Sequence, residues 1–81
     1  MTIRFRLFAI LRDAAGVSEV TMDIASGATA FSAVAKLAED YPSLLPHLGK
    51  IAYAINQTYQ PANTALQDGD ELALIPPVSG G

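Results

Sequence analysis

Eighty-one residues, 51% hydrophobic and 16% charged, describe a single globular domain with little material to spare for its core. A net charge of −3 with only five Lys and Arg excludes a nucleic-acid binder, which needs a basic stripe, and no apolar run approaches the roughly 20 residues that cross a bilayer. The lack of cysteine excludes disulfides, thiolate metal sites and persulfide chemistry together.

Residues 2–10 alternate, with Ile3, Phe5, Leu7 and Ala9 on one side and Arg4, Arg6 and Phe8 on the other. That period predicts a strand with one buried face. The same opening carries Arg4 and lacks the long apolar region of a secretion signal, so a cytoplasmic location is expected. Residues 12–16 read as a loop. Residues 17–24 predict a second strand, with Val20, Met22 and Ile24 set against Glu19, Thr21 and Asp23. The short connection between the two implies antiparallel pairing.

Ser26 and Gly27 break the alternation, and Thr29 is then a candidate N-cap. From Ala30 the period becomes helical: Ala30, Ala33, Val34, Leu37, Ala38 and Tyr41 form one stripe, with Phe31 at its border as a core-edge residue. Pro42 ends the helix and Pro46 keeps it from resuming. Leu44, Leu45 and Leu48 are expected to tuck under the sheet. Residues 51–56 predict a third strand, residues 58–60 a short edge strand, Asp68-Gly69 a turn, and residues 70–75 the last strand. In that strand Leu72 and Leu74 face the core, leaving Ala73 and Ile75 outward.

This order predicts an α+β domain over residues 1–75, a mixed sheet with one main helix packed on one face. At this length the compact solution is the β-grasp (ubiquitin-like) arrangement, in which the first and last strands lie side by side in the centre. Residues 76–81 are left as an extended tail: Pro76, Pro77, Val78, Ser79, Gly80 and Gly81.

The tail carries the chemistry. Two prolines without N–H groups end the sheet pairing and favour a stiff polyproline II segment. Six extended residues reach roughly 20 Å, enough to enter a neighbouring protein. Gly80 and Gly81 have no side chains, so they fit a channel too narrow for any other residue and leave the terminal carboxylate open. A carboxylate is a poor electrophile. Once adenylated it is a mixed anhydride, which sulfide or a persulfide can attack to give a thiocarboxylate. A chain without cysteine could carry sulfur in that form. A frayed terminus of no function is the competing reading.

The chain resembles the small, sulfur-carrying subunit of molybdopterin synthase along nearly its whole length. The resemblance lies in Phe8-Ala9 with Arg12 after it, Thr29, Ala54-Ile55-Asn56-Gln57-Thr58, Asp68-Gly69-Asp70-Glu71 and, most specifically, the Pro-Pro-Val-Ser-Gly-Gly ending. The Asn-Gln and Asp-Gly-Asp pieces are shared with thiazole-synthesis sulfur carriers, usually shorter and without the paired prolines. The resemblance implies that an E1-like enzyme uses ATP to adenylate Gly81 and that a sulfur donor converts it to the thiocarboxylate. The tail, residues 76–80 with Gly81 at its tip, then enters the large synthase subunit and gives sulfur to cyclic pyranopterin monophosphate. It further implies a heterotetramer, a dimer of large subunits with one carrier at each end. The alanine-rich helix stripe and Tyr59, where an aliphatic is frequent, depart from the family.

By alternation Phe8 and Ile75 point away from the helix-covered face, and the resemblance adds Tyr59 to a partner-binding surface there; ordinary exposure is the competing explanation. Arg4, Arg6 and Arg12 suit either partner contacts or cross-strand pairing. His47 has no second ligand at metal spacing, and the carboxylates of Glu39-Asp40 and of Asp68, Asp70 and Glu71 fit helix-surface and turn roles. No nucleophile has a base of its own, so no autonomous active site, cofactor or metal is expected in this chain. The alternatives are a sulfur carrier of another pathway, thiazole or tRNA thiolation, and a ubiquitin-like modifier or interaction module.

Overall fold

The alternation of Ile3, Phe5 and Leu7 is realised in β1 (Thr2–Leu7), where these three side chains are buried and Arg4 and Arg6 exposed. The computed structural model describes residues 1–77; Val78, Ser79, Gly80 and Gly81 lie outside the described residues. After β1 come α1 (Ile10–Ala15), β2 (Glu19–Asp23), α2 (Ala30–Asp40), a 3-10 helix (Pro42–His47), β3 (Ala52–Ile55), β4 (Thr58–Gln60) and β5 (Glu71–Ile75). The sheet order is β2-β1-β5-β3-β4. β1 and β5 run parallel in the middle, Phe5 opposite Leu72 and Leu7 opposite Leu74, and the other neighbours are antiparallel. This is the β-grasp order expected from the element sequence.

One face of the sheet is covered. Ile3, Phe5, Leu7, Leu72 and Leu74 pack with Ala30, Ala33, Val34 and Leu37 of α2 into one cluster, closed at its ends by Leu11, Leu44 and Leu66. Small alanines on the α2 stripe let the helix approach the sheet closely. The helix starts where its cap says it should: Ser32 N donates to Thr29 Oγ1 (3.2 Å) and Thr29 N donates to Ser32 Oγ (2.8 Å), satisfying two groups that the first turn would leave orphaned.

Several expectations need correction. Ala9 was expected to face the core from a long strand, but it is exposed and lies outside β1, with φ 50° and ψ −123°. The chain turns there, and the expected loop at 12–16 becomes α1, because that helix brings Leu11 to complete burial at the end of the core. Gly16, at φ 79°, closes α1 by donating its N–H to Arg12 O (2.8 Å). Phe31 is 63% exposed and Leu45 60%, so neither tucks inward; Leu44 alone of the three leucines is fully buried, and Leu48 is half-buried. The 3-10 geometry explains this, since adjacent leucines there point to different sides.

The β3–β4 hairpin turns on two residues, Asn56 (φ 50°) and Gln57 (φ 71°), with Ile55 paired to Thr58. Positive φ at both positions is the turn that suits strand twist, and asparagine tolerates it better than glutamine. Gln57→Gly should therefore stabilise the domain by about 0.5–1 kcal/mol. Relief of roughly 1–2 kcal/mol of left-handed strain exceeds the roughly 0.5–1 kcal/mol of added unfolded-chain entropy. A urea midpoint at or below that of the parent chain would refute this.

Candidate functional site: the open sheet face and the tail root

Side chains that pair laterally share a face, so the register defines the uncovered side of the sheet. One row runs across all five strands: Glu19, Arg6, Ala73, Ala54 and Tyr59. The row nearer the start of β1 and β5 is polar. There Arg4 Nη2 donates to Glu71 Oε2 (2.8 Å), Arg4 Nε lies 3.4 Å from Glu19 and Arg6 Nη1 lies 3.7 Å from Glu71. The Glu71 side chain is only 12% exposed beneath the two guanidiniums, and its hydrogen bond is the main cause that raises the Arg4 pKa above its ordinary value. Of the three arginines, Arg4 and Arg6 thus pair across strands, and Arg12 lies 3.9 Å from Asp13.

Toward the other end the face becomes apolar. Leu7 pairs with Leu74, which places Phe8 and Ile75 one residue beyond that pair at the edge where the tail leaves. Phe8 lies on the open side, its ring centroid 5.3 Å from Arg6 Cζ. Phe8 is 38% and Tyr59 71% exposed, while Ile75 is half-buried. Ala73 and Ala54 were not singled out from sequence as part of this surface, yet they form its floor. Both are buried, although they lie on the uncovered side, because larger neighbours wall them in. Tyr59 lies on β4 and Phe8 just past the end of β1, strands three spacings or roughly 14 Å apart, so the two aromatics stand on either side of the small residues Ala54 and Ala73. The only forewarning was the pair of small residues at outward positions of strands that turn out to be neighbours.

The Asn-Gln and Asp-Gly-Asp segments are structural. Asn56 Nδ2 donates to Asp70 Oδ1 (2.9 Å), Glu71 N donates to Asn56 Oδ1 (3.0 Å), and Gln67 N donates to Asp70 Oδ2 (2.8 Å). Asp68 Oδ1 accepts from Thr2 N at 2.7 Å, and Gly69 supplies the φ of 86° that the turn needs. This clasp ties the hairpin turn to the start of β5 and thereby sets where β5 begins. His47 is half-buried at the end of the 3-10 helix. Among the described residues no group of three or more His, Cys, Asp and Glu could hold a metal ion. No helix among them is long and apolar enough to cross a membrane.

A second apolar surface lies on the helix side, a groove of about 350 Å³ lined by Phe31, Val34, Leu45, Leu48 and Tyr53, where burial pushes the Tyr53 hydroxyl pKa up. Of the tail, Pro76 is half-buried and Pro77 exposed; the expectations for Val78, Ser79, Gly80 and Gly81 fall outside the described residues.

Known proteins share this architecture and sequence. The molybdopterin synthase sulfur carrier subunit of Chlamydomonas reinhardtii is 40% identical over 83 residues, covering 100% of both chains. The crystal structure of small archaeal modifier protein 1 from Haloferax volcanii superposes with a TM-score of 0.89 at 30% identity, covering 95% of this chain and 98% of that one. A chain in the complex of subunits 1 and 2 of molybdopterin-converting factor from Helicobacter pylori matches with a TM-score of 0.68 at 27% identity, covering 100% of both. The ThiS family model matches residues 5–81, nearly the entire chain, and with these relatives it establishes that the protein belongs to the ThiS family.

Proposed function

We propose that this chain is a cytoplasmic sulfur carrier for molybdenum cofactor biosynthesis, the small subunit of a molybdopterin synthase. One observation carries the reading: the Pro-Pro-Val-Ser-Gly-Gly segment follows directly on the central strand β5, at the end of the sheet where the open face is apolar. The relative named as a sulfur carrier subunit and the two-subunit complex of the Helicobacter protein support the same reading.

In the proposed cycle an E1-like enzyme transfers AMP from ATP to the Gly81 carboxylate, releasing pyrophosphate. Sulfide from the donor attacks the activated carbonyl and AMP leaves, giving the thiocarboxylate. A persulfide donor would first form an acyl disulfide, whose S–S bond a thiol of the donor then cleaves, leaving the donor as a disulfide. The carrier then docks on the large subunit through Phe8, Tyr59 and Ile75, while residues 76–80 deliver Gly81 into that subunit's active site. Sulfur passes to cyclic pyranopterin monophosphate and the Gly81 carboxylate is regenerated by water. The acid–base groups belong to the partner; this chain contributes a reach, a docking face and an unhindered terminus.

Intact mass after co-expression with the activating enzyme and a sulfur source tests this. The expected result is a gain equal to exchange of one oxygen for sulfur, on the C-terminal peptide and trapped by alkylation. Alkylation separates it from oxidation of Met1 or Met22, which changes the nominal mass almost equally. An unchanged mass, with the same enzyme competent on another carrier, would overturn the reading. Similarity to small archaeal modifier protein 1 favours a second reading, a protein modifier, which would appear as Gly81 in isopeptide linkage to lysines of other proteins.

A further inference from the structure

The chain has five Lys and Arg side chains, and four have a carboxylate partner among the described residues: Arg4, Arg6, Arg12 and Lys36, the last with Glu39 at 3.6 Å. Lys50 has none within ion-pair distance among those residues. It lies where the tail leaves the sheet. Pro76 and Pro77 line a notch of about 400 Å³ there together with Ile10, Pro46, His47, Gly49 and Lys50. Ile10, 46% exposed, is delivered to this place by the turn at Ala9.

Chain length makes this place unavoidable for any protein that acts on Gly81. The four residues after Pro77 span at most roughly 14 Å, so the mouth of a channel that receives Gly81 must lie against the tail root. A mouth facing an ammonium that has no carboxylate partner among the described residues, on a chain of net charge −3, is complementary when it carries carboxylates. Lysine keeps its hydration and acts as a point charge on a flexible stem, which suits a rim contact that steers and orients docking rather than a buried anchor.

We propose that this notch is a docking contact for the acidic rim of the tail-accepting channel in the large synthase subunit. An apolar side chain of that rim fills the space between Ile10 and the paired prolines, and a carboxylate faces Lys50. This inference rests on the sulfur-carrier reading, and it extends the contact surface from the open face around the sheet edge to the tail root. Lys50 and Ile10 then act on encounter and docking, and they touch no reacting atom.

The test is binding of the full chain to the large subunit from the same genome, across roughly 0.05–0.5 M salt, for the parent, Lys50→Glu, Lys50→Gln and Lys36→Glu. Lys36→Glu makes the same change in net charge on the solvent side of α2. The expected result at low salt is about tenfold weaker binding for Lys50→Glu, a smaller loss for Lys50→Gln, and no change beyond about twofold for Lys36→Glu. The Lys50→Glu deficit should shrink as salt rises, and sulfur transfer at saturating large subunit should stay within about twofold of the parent, since a rim charge acts on encounter. Circular dichroism melting confirms that each variant folds. Parent and Lys50→Glu binding equally would overturn the inference and leave the carrier reading intact. Equal losses for Lys36→Glu and Lys50→Glu would reduce the effect to net charge and overturn it too. Loss of adenylation by Lys50→Glu with unaltered large-subunit binding would assign the notch to the activating enzyme, against the proposal. A parent chain that fails to bind the large subunit at all would overturn both.

Discussion

Deletion of Gly80 and Gly81 is expected to abolish sulfur transfer and to leave the domain folded. The separation follows from where the stabilising contacts are. Every residue of the buried cluster lies between Ile3 and Leu74, and β5 ends at Ile75. Removing two terminal glycines therefore changes stability by no more than about 0.5 kcal/mol, the usual scale for surface changes away from structural features. The proposed transfer, by contrast, would lose the carbonyl carbon on which its chemistry rests. Serine would become the terminus, two residues short of the depth that the channel requires, and no group elsewhere in the described chain substitutes for it. Thermal melting and single-turnover product formation, measured on the same preparation, check both halves. A deletion variant that still transfers sulfur at the parental rate would remove the basis for the carrier reading.

The second large effect concerns docking. Replacing Phe8 and Tyr59 together by serine is expected to weaken binding to the large subunit by about a hundredfold. Exposed aromatics at the centre of an interface each carry on the order of 1–2 kcal/mol or more, and 1.4 kcal/mol is a factor of ten. The two side chains stand on either side of Ala54 and Ala73, so their losses should come close to adding. The fold should bear the change. Tyr59 is mostly exposed on an edge strand, and Phe8 gives up a cation–π contact with Arg6 of about 0.5–1 kcal/mol. Phe31→Ser is the control, since Phe31 is nearly as exposed as Tyr59 but lies on the helix side of the sheet. If Phe31→Ser weakens binding more than the double variant does, the partner docks on the wrong side for this account.

Some of the molecule is legible locally and some is not. Thr29 could be read as a cap because its partner Ser32 is three residues away. The edge strand at residues 58–60 was legible too, but the turn before it was not: the third strand was expected to run through Asn56, which instead takes a positive φ with Gln57 in the hairpin turn. Nor was Ala9. Nothing within its own neighbourhood demands a turn; the demand comes from Leu11, which is buried only because a core exists for it to close. Leu45 was misjudged from a similar cause, since its hydrophobicity said core while its neighbour Leu44 takes the buried position. Glu71 is the sharpest case. From sequence it was a turn carboxylate, yet it lies beneath two arginines, and the Arg4–Glu71 hydrogen bond joins residues 67 apart.

By itself, then, the sequence determined the strands, the main helix, their order and where the tail begins, but not α1 or the 3-10 helix. Each of the features it determined depends on periodicity and on chain breakers acting over a few residues: alternation in β1, a stripe of small apolar residues in α2, and the prolines that end β5. Only the tertiary structure decided what surrounds the tail. The parallel pairing of β1 with β5 brings Phe8 beside Ile75, lines Ala73 up with Ala54 and Tyr59, and draws Glu71 under Arg4 and Arg6. The packing of α1 and the 3-10 helix sets Ile10 and Lys50 at the tail root. The register between strands separated by most of the chain is chosen by the burial of the whole core at once, because a slip of one residue would turn every apolar side chain of a strand toward water. That choice is global, and so is the surface it creates.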